Sequence, residues 1–352
     1  MVRFDEALAT ALEAAGHRRV QISERGARVV LVHVDPLAPK TYHRPDSAVS
    51  VVALLRQARP PEHLDDFAHQ WLLRSLASLV IVVAGAEEAP DIYVRSTDRT
   101  LERIAAPAWS PRLFHQVVDR VRLVDVRLVL DNIFDRDLEA ELRDGGSALP
   151  PMRRAAHALA RAGGLASGPP PGDYLSHQDR RHLERVFQGS RRSYGNLSVR
   201  QDERRFWMST SGVDWLHLEV VGRDIELVKG YDATSRALLV SIPPGVRPHR
   251  VSADALTHHL IYGAHPEVGA IVHLHLWIDG IQALAPDYAR GSLERAQSVA
   301  ALVRASEDPV HAVIGIERHG LIVTGEDLDE ILARLARGSV VPVPAAGPRQ
   351  LV

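Results

Sequence analysis

No cysteine occurs among the 352 residues, and only Lys40 and Lys229 are lysine. The first absence excludes disulfides, thiolate nucleophiles, iron–sulfur clusters and thiolate zinc sites, so a metal here would need His, Asp or Glu ligands. The second absence leaves few candidate residues for Schiff-base catalysis, which needs a desolvated lysine amine. Carbonyl chemistry in this chain is therefore expected to use a metal ion.

The sequence also lacks an excess of charge of either sign, because 42 basic residues face 44 acidic ones and the formal net charge is -2. Such a chain has no global basic field to attract nucleic acid or an anionic membrane surface. No stretch approaches the roughly 20 apolar residues that span a bilayer, and the amino terminus lacks an apolar secretory core. We expect a cytoplasmic protein without nucleic-acid or membrane partners.

Two phosphate-binding motifs are missing as well: no GxGxxG follows a strand pattern, and no GxxxxGK[ST] occurs. Dinucleotide and P-loop phosphate binding are therefore not supported. The length predicts two domains. Residues 1–162 alternate helix and strand patterns, including a strand at 121–131 and a helix at 135–145, and predict an α/β layer domain of unknown role. A Gly/Pro-rich linker at 163–173, a second domain at 174–338 and a tail at 339–352 follow.

A pair of histidines stands in the apolar run VGAIVHLHLW. Residues two apart on a strand face the same way, so His273 and His275 are expected to project together. Two imidazoles on one face can share a cation. An HxH pair by itself is a weak signal in a chain with 18 histidines.

A third histidine strengthens the metal hypothesis. His319 precedes Gly320, which allows the sharp turn that brings the ring toward a strand edge. Three neutral imidazoles with open coordination positions form a known catalytic zinc pattern. Upstream, Ser252 is a candidate cap for a helix over 253–264, with Asp254 in its first turn. Taken alone, Asp254 is explained by stabilisation of the helix dipole. We expect His258 and His259 to lie on that helix as packing or surface residues.

Two turn segments, SYGNLSVR and FWMSTSGVDW, offer backbone N–H groups, hydroxyls and an amide on tight turns. Such a nest suits a phosphate or carboxylate. Taken alone, each segment is better explained as an ordinary β-turn.

Taken together, the segments GNLSVR, MSTSGVD, DIELVKGYD, SADALTHHLIYGAHPEVGAIVHLH, YARGSLE and RHGLIVTGEDLDEIL resemble class II aldolase/adducin domains in order and spacing, over residues 175–337. The resemblance implies an α/β/α fold with a central, mainly antiparallel sheet. It also implies a ring-like homotetramer with active sites between subunits. Residues 1–162 resemble no family that we identify.

The resemblance also implies roles for single residues. His273, His275 and His319 correspond to the ligands of zinc, or of manganese or cobalt. The turns that hold a substrate's phosphate or other anion correspond to Asn196, Ser198, Ser211, Gly212 and Ser252. Tyr288 corresponds to a tyrosine that contacts substrate.

Three departures from the family pattern stand out. Asp254, nineteen residues before His273, replaces a glutamate that is one methylene longer. A base displaced by about an ångström can lose much activity. Ala253 replaces a second serine hydroxyl, which puts a phosphorylated substrate in doubt. The segment between His275 and Tyr288 is short, so the active-site roof is trimmed.

The implied mechanism is that of a metal-dependent lyase. A hydroxy-carbonyl substrate chelates the metal, which stabilises an enediolate, while Asp254 shuttles the proton. That role would need a raised carboxyl pKa. Aldol cleavage or formation ranks first, ahead of epimerisation, decarboxylation and dehydration. Two rivals remain: a non-catalytic adducin-like interaction module, and catalysis by the N-terminal domain with the C-terminal domain as its scaffold.

Overall fold

A computed structural model describes residues 2–19, 29–36, 50–86, 90–96, 101–104, 110–124, 130–162, 177, 195–285, 288, 291–317, 319–338 and 340–341. The chain forms two compact units. The described residues up to 124 lie in the first unit, and those of 130–162 and from 195 onward lie in the second. The predicted linker at 163–173 and most of the predicted tail lie outside the described residues.

The first unit is built on a five-stranded sheet in the order β1-β2-β3-β4-β5, in which β1, β2 and β3 are parallel and β4 and β5 are antiparallel. Helices cover both faces. Continuous apolar strands such as SVVALL and LVIVVA suit a sheet that is buried on both sides. The α/β layer prediction for this part of the chain is confirmed. Its elements are α1 (Val2–Ala14), β1 (Val29–His33), β2 (Ser50–Gln57), α2 (Leu64–Arg74), β3 (Leu79–Ala84), β4 (Asp91–Ser96), β5 (Glu102–Ile104) and α3 (Pro111–Val124).

The second unit contains a nine-stranded sheet in the order β13-β14-β15-β11-β7-β8-β9-β10-β6. All neighbouring strands are antiparallel except the pairs β13–β14 and β6–β10. The predicted α/β/α domain with a mainly antiparallel sheet is confirmed. Its elements are β6 (Asp131–Asp135), α4 (Leu149–Ala162), β7 (Gly195–Arg200), β8 (Phe206–Ser209), β9 (Ile225–Asp232), β10 (Ala237–Ser241), α5 (Ala255–Ala264), β11 (Ala270–Leu274), β12 (Trp277–Ile278), β13 (Ala283–Ala285), α6 (Leu293–Ala305), β14 (Val313–Ile316), β15 (Gly320–Gly325), α7 (Leu328–Leu335) and β16 (Val340–Val341).

Two apolar clusters sandwich this sheet. On one face, α5 and α6 pack against side chains such as Ile271 and Ile322. On the other, α4 and α7 pack against side chains such as Val272 and Leu321. Because alternate residues of the central strands enter opposite clusters, a polar residue on these strands must be satisfied inside the protein.

The division between the units differs from the predicted boundary at residue 162. Strand β6 pairs in parallel with β10, and Met152 and Ala155 of α4 lie in an apolar cluster of the second unit. Residues 130–162 therefore belong to the second unit, because both their backbone pairing and their apolar face lie there. The predicted boundary was based on the composition of the Gly/Pro-rich segment. The contacts that join residues 130–162 to the second unit are long-range and cannot be recognised from local sequence.

Two predicted elements in this region were wrong. The strand predicted at 121–131 is helical up to Val124, because α3 continues the apolar spacing of Val117 and Val121. The helix predicted at 135–145 is reduced to a 3-10 turn at Ala140–Leu142. The first residue of the predicted helix, Asp135, is the last residue of β6. The last residue of the predicted helix, Gly145, has a left-handed φ of 82°. No helix within the described residues has the length and apolar character of a membrane span.

Candidate metal centre

The first two histidines lie on and directly after the central strand β11, which runs between β7 and β15. His273 projects to the face covered by α5 and α6, while Val272 and Leu274 enter the opposite cluster. His275 follows directly after β11. The ring centroids of His273 and His275 are 4.9 Å apart, so the pair predicted from the strand pattern comes together.

The third histidine lies on the turn between β14 and β15. Gly320 has a φ of 142°, and a Cβ there would lie 1.8 Å from the carbonyl oxygen of Leu274. Only glycine lets the turn approach β11 this closely. The His319 ring centroid lies 4.8 Å from that of His273 and 4.8 Å from that of His275. The nearest ligand nitrogens of the three rings all lie within 4.8 Å of one another.

The tautomer and the charge of the His273 ring are those that a metal ligand needs. Its Nδ1 lies 2.9 Å from the carbonyl oxygen of Leu321, which can only accept, so Nδ1 carries the proton. The Nε2 lone pair is buried and forms no hydrogen bond within the described residues. Burial, as the largest cause, holds the His273 pKa well below its usual range, so the imidazole is neutral. Three convergent imidazoles, one of them oriented by a backbone carbonyl, fit a zinc-like divalent ion.

Asp254 lies beside this cluster. Its Oδ2 accepts a hydrogen bond of 2.8 Å from Asn196 Nδ2 and lies 3.8 Å from His273 Nε2. Although Asp254 immediately precedes α5, its side chain makes no capping hydrogen bond. Helix α5 starts at Ala255 with Asp254 in the cap position, and the Ser252 hydroxyl accepts a hydrogen bond of 3.4 Å from Asp254 N just ahead of it. Asp254 faces the histidines instead of serving the helix dipole.

Comparison with known families identifies this part of the chain. Residues 187–277 match the family model described as the class II aldolase and adducin N-terminal domain. The second unit contains a class II aldolase/adducin domain. The matched residues include Asn196, Asp254, His273 and His275, which agrees with the resemblance read from the motifs.

Individual relatives of the aldolase/adducin domain are distant. The chain is 37% identical over 81 residues to a methylthioribulose-1-phosphate dehydratase of Citrobacter koseri, and this match covers 23% of the chain. It spans 34% of that protein, so the chain covers about a third of this relative's length.

Solved structures similar to the chain include YgbL of Escherichia coli, described as a putative aldolase/epimerase/decarboxylase, at 20% identity and a TM-score of 0.35. The match covers 53% of this chain and 82% of that one. The L-fuculose-1-phosphate aldolase of Thermus thermophilus matches at 19% identity and a TM-score of 0.34, over 53% of this chain and 87% of its own.

The predicted anion-binding residues of the aldolase/adducin domain fall into two groups. Asn196 Nδ2 donates to Ser252 Oγ at 3.0 Å as well as to Asp254, so Asn196 and Ser252 lie beside the carboxylate that faces the histidine cluster. The turn with Ser211 and Gly212 is tied to the same region, since Ser211 N donates to Arg250 O at 2.8 Å and Ser252 N to Ser209 O at 3.3 Å.

The other two predicted substrate contacts are Ser198 and Tyr288. Ser198 lies away from Asp254, and Tyr288 has no described residue next to it in the chain. The Ser198 hydroxyl is 2.8 Å from His258 Nδ1 and 2.8 Å from the Tyr262 hydroxyl, not beside Asp254. Tyr288 is 41% exposed, and the residues on both sides of it lie outside the described part of the chain. Burial lowers the pKa of His258 to about 4, so its ring packs in neutral form against the sheet.

Sequence reasoning missed Arg295, a buried guanidinium on the first turn of α6. Its Nη2 lies 3.4 Å from Asp254 Oδ1. The spacing of Arg295, Val299 and Val303, all buried on one helix face, was the signal that could have found it. Arg295 and Asn196 approach different oxygens of Asp254, so a cation and an amide both stabilise the ionised carboxylate.

Lys229, one of the two lysines, is not available for imine chemistry. Its ammonium group lies 2.8 Å from Asp135 Oδ2 and 2.5 Å from Asp137 Oδ2. Partial burial acts to lower its pKa, but hydrogen bonds to Asp135 and Asp137 outweigh burial and raise it. The charged form is a poor nucleophile. Lys40 lies outside the described residues.

Proposed function

We propose that the aldolase/adducin domain is a metal-dependent lyase for small hydroxy-carbonyl substrates, with C–C bond cleavage or formation as its reaction. One observation carries this proposal: ligand nitrogens of three histidines lie within 4.8 Å of one another, and an oxygen of the buried Asp254 lies 3.8 Å from His273 Nε2. A metal site with an adjacent carboxylate suits proton transfer next to a polarised carbonyl.

Each residue group has a separate task in this proposal. His273, His275 and His319 would hold the cation, zinc first and manganese or cobalt as alternatives. When bound, the ion would supply Lewis-acid polarisation of the substrate carbonyl. Asp254 takes a proton from the substrate hydroxyl as the C–C bond breaks, and the bonding electrons stay on the carbon beside the carbonyl. Asp254 then returns a proton to that carbon.

The substrate's anionic end would lie toward the turns around Ser211, Gly212 and Ser252, next to Asn196. Backbone N–H groups and hydroxyls on such turns favour a phosphate or carboxylate. Ala253 removes one hydroxyl from this pocket, which favours a carboxylate or a loosely held phosphate. Tyr288 stays a candidate substrate contact.

Dehydration is the second candidate, and a specific observation favours it. The matched relative from Citrobacter koseri is named as a dehydratase. In that reaction Asp254 would take the proton from the carbon beside the carbonyl and deliver it to the hydroxyl group on the next carbon, which leaves as water while a C=C bond forms. Epimerisation and decarboxylation remain further alternatives. An adducin-like interaction module would have no need to keep three histidines and an acid in one cluster.

A metal assay combined with product analysis tests the proposal. We expect the purified protein to hold one divalent ion per chain and His273→Ala/His275→Ala to hold none. Incubation with a panel of hydroxy-ketones and hydroxy-acids, followed by NMR, separates two carbonyl fragments from a dehydrated product. A protein that binds no divalent metal would contradict the proposal. A homotetramer and a cytoplasmic location stay predictions.

A further inference from the structure

Strand β7 carries three polar side chains on the face that is covered by α5. They occupy alternate positions, as residues on one face of a strand must. Each contacts a different part of α5 or of the segments that flank it. These side chains are Asn196, Ser198 and Arg200.

The contacts follow the helix from one end to the other. Asn196 binds Asp254 just before α5, at 2.8 Å. Ser198 lies 2.8 Å from both His258 Nδ1 and the Tyr262 hydroxyl, in the helix itself.

Arg200 completes the series at the far end. It donates to the carbonyl oxygens of Tyr262 at 3.0 Å and His265 at 2.7 Å, and its Nε donates to Val268 O at 2.7 Å. It thereby ties the end of α5 to the segment that leads into β11.

The rise per residue of a strand and that of a helix allow these three contacts to form together in only one alignment of α5 with β7. Two residues of a strand advance about 6.6 Å, and four residues of a helix advance about 6.0 Å. Strand positions 196 and 198 therefore meet helix positions 254 and 258, one turn apart. A slip of one residue along the helix, about 1.5 Å, would break the short hydrogen bonds together.

Burial makes the alignment costly to lose. Ser198 and His258 are fully buried, and Tyr262 is 5% exposed with the Arg200 guanidinium 4.7 Å from its ring centroid. A buried donor or acceptor that loses its partner carries its full desolvation penalty. Arg200 also places a positive charge at the C-terminal end of α5, whose own last turn has no basic residue.

We propose that Ser198 and Arg200 are positioning residues. They fix where α5 lies along the direction of β7, and so hold Asp254 beside the histidine cluster. The inference rests on the proposed function, which gives Asp254 its role in proton transfer. The three histidines lie on β11, after it and on the β14–β15 turn, and none lies on α5. Loss of the alignment should therefore displace the acid while leaving the metal ligands in place.

The test compares Ser198→Ala with the parent protein and with Ser241→Ala, a matched variant at a buried serine on β10 of the same sheet. We expect Ser198→Ala to bind one divalent ion per chain, as the parent does. Amide hydrogen exchange in residues 254–262 should rise at least tenfold. The kcat should fall by about ten- to a hundredfold, because a shift of about 1 Å in a reacting group has that effect, while KM changes less than threefold.

Two further variants keep the test decisive. Tyr262→Phe removes one hydroxyl and should show the same changes more weakly, which covers the case that Ser198→Ala fails to fold. Ser198→Thr restores the hydroxyl and should recover most of kcat. Unchanged exchange in 254–262, or a kcat within twofold of the parent for both Ser198→Ala and Tyr262→Phe, would overturn the positioning role. A parent protein that holds metal but has no lyase activity counts against the proposed function alone, and hydrogen exchange then decides the positioning role.

Discussion

Replacing Glu226 with glutamine should change how the stability of the second unit depends on pH. Glu226 lies on β9 and is fully buried. Its Oε1 accepts a hydrogen bond of 3.3 Å from His249 N, and its Oε2 has no hydrogen-bond partner within the described residues. Burial, as the largest cause, raises the pKa of Glu226 from 4.5 to about 8. The carboxyl group is therefore neutral in the folded protein near pH 7.

The sign of the effect follows from this raised pKa. The folded state holds the proton more tightly than the unfolded chain, so the free energy of unfolding is unaffected by this group below about pH 4.5. It then falls by about 1.4 kcal/mol for each pH unit up to about pH 8. The full loss is about 5 kcal/mol above pH 8, and about 3 kcal/mol at pH 7. Glu226→Gln keeps the acceptor oxygen and removes the ionisation, so it should abolish this loss.

Urea unfolding between pH 4.5 and 8.5 measures the effect, with the buried Trp207 and Trp215 of the second unit as fluorescence reporters. Parent and Glu226→Gln should be equally stable at pH 4.5, and the variant should be more stable by about 3–5 kcal/mol at pH 8.5. Glu203→Gln, at an exposed glutamate, is the matched control and should follow the parent. A Glu226→Gln profile parallel to the parent's over this whole range would refute the reasoning.

Three further predictions concern the metal centre. Asp254→Asn should lower kcat by about 10²- to 10⁴-fold without loss of metal, as steady-state kinetics and metal analysis would reveal; full activity would remove Asp254 from proton transfer. Gly320→Ala should lose metal and about 3 kcal/mol or more of stability, because its Cβ would meet Leu274 O at 1.8 Å. Gly280→Ala, also at positive φ but with no atom within 4 Å, is its control and should cost about 1 kcal/mol by urea unfolding. Chelation of the metal should lower the thermal midpoint, and a free metal concentration about 100 times Kd should restore about 2.7 kcal/mol; a midpoint insensitive to chelator would argue against the histidine site.

Local patterns were enough to predict much of the site. The alternation of VGAIVHLHLW placed His273 on one face of a strand, and the glycine after His319 indicated the sharp turn that the φ of Gly320 bears out. Both signals are short-range, because side-chain alternation and the need for a left-handed backbone are properties of a few consecutive residues.

Contacts between distant segments were beyond such patterns. The assignment of residues 130–162 to the second unit depends on the pairing of β6 with β10, about a hundred residues away in the chain. Ser198 was expected to bind an anion, yet its hydroxyl meets His258 and Tyr262 on a helix sixty residues downstream. Strand pairing and helix docking depend on the free energy of the whole core. They therefore cannot be predicted from the composition of a few consecutive residues.

By itself, the sequence determined which side chains are available to hold a metal: it has no cysteine, scarcely any lysine, and three histidines in patterns that suit a strand and a glycine turn. Only the tertiary structure decided how Asp254 is held beside those histidines and which buried arginine approaches it. The reason is physical, since the 3.4 Å between Arg295 and Asp254 is set by two helices packing on one face of a sheet, and that packing exists only once the chain has folded.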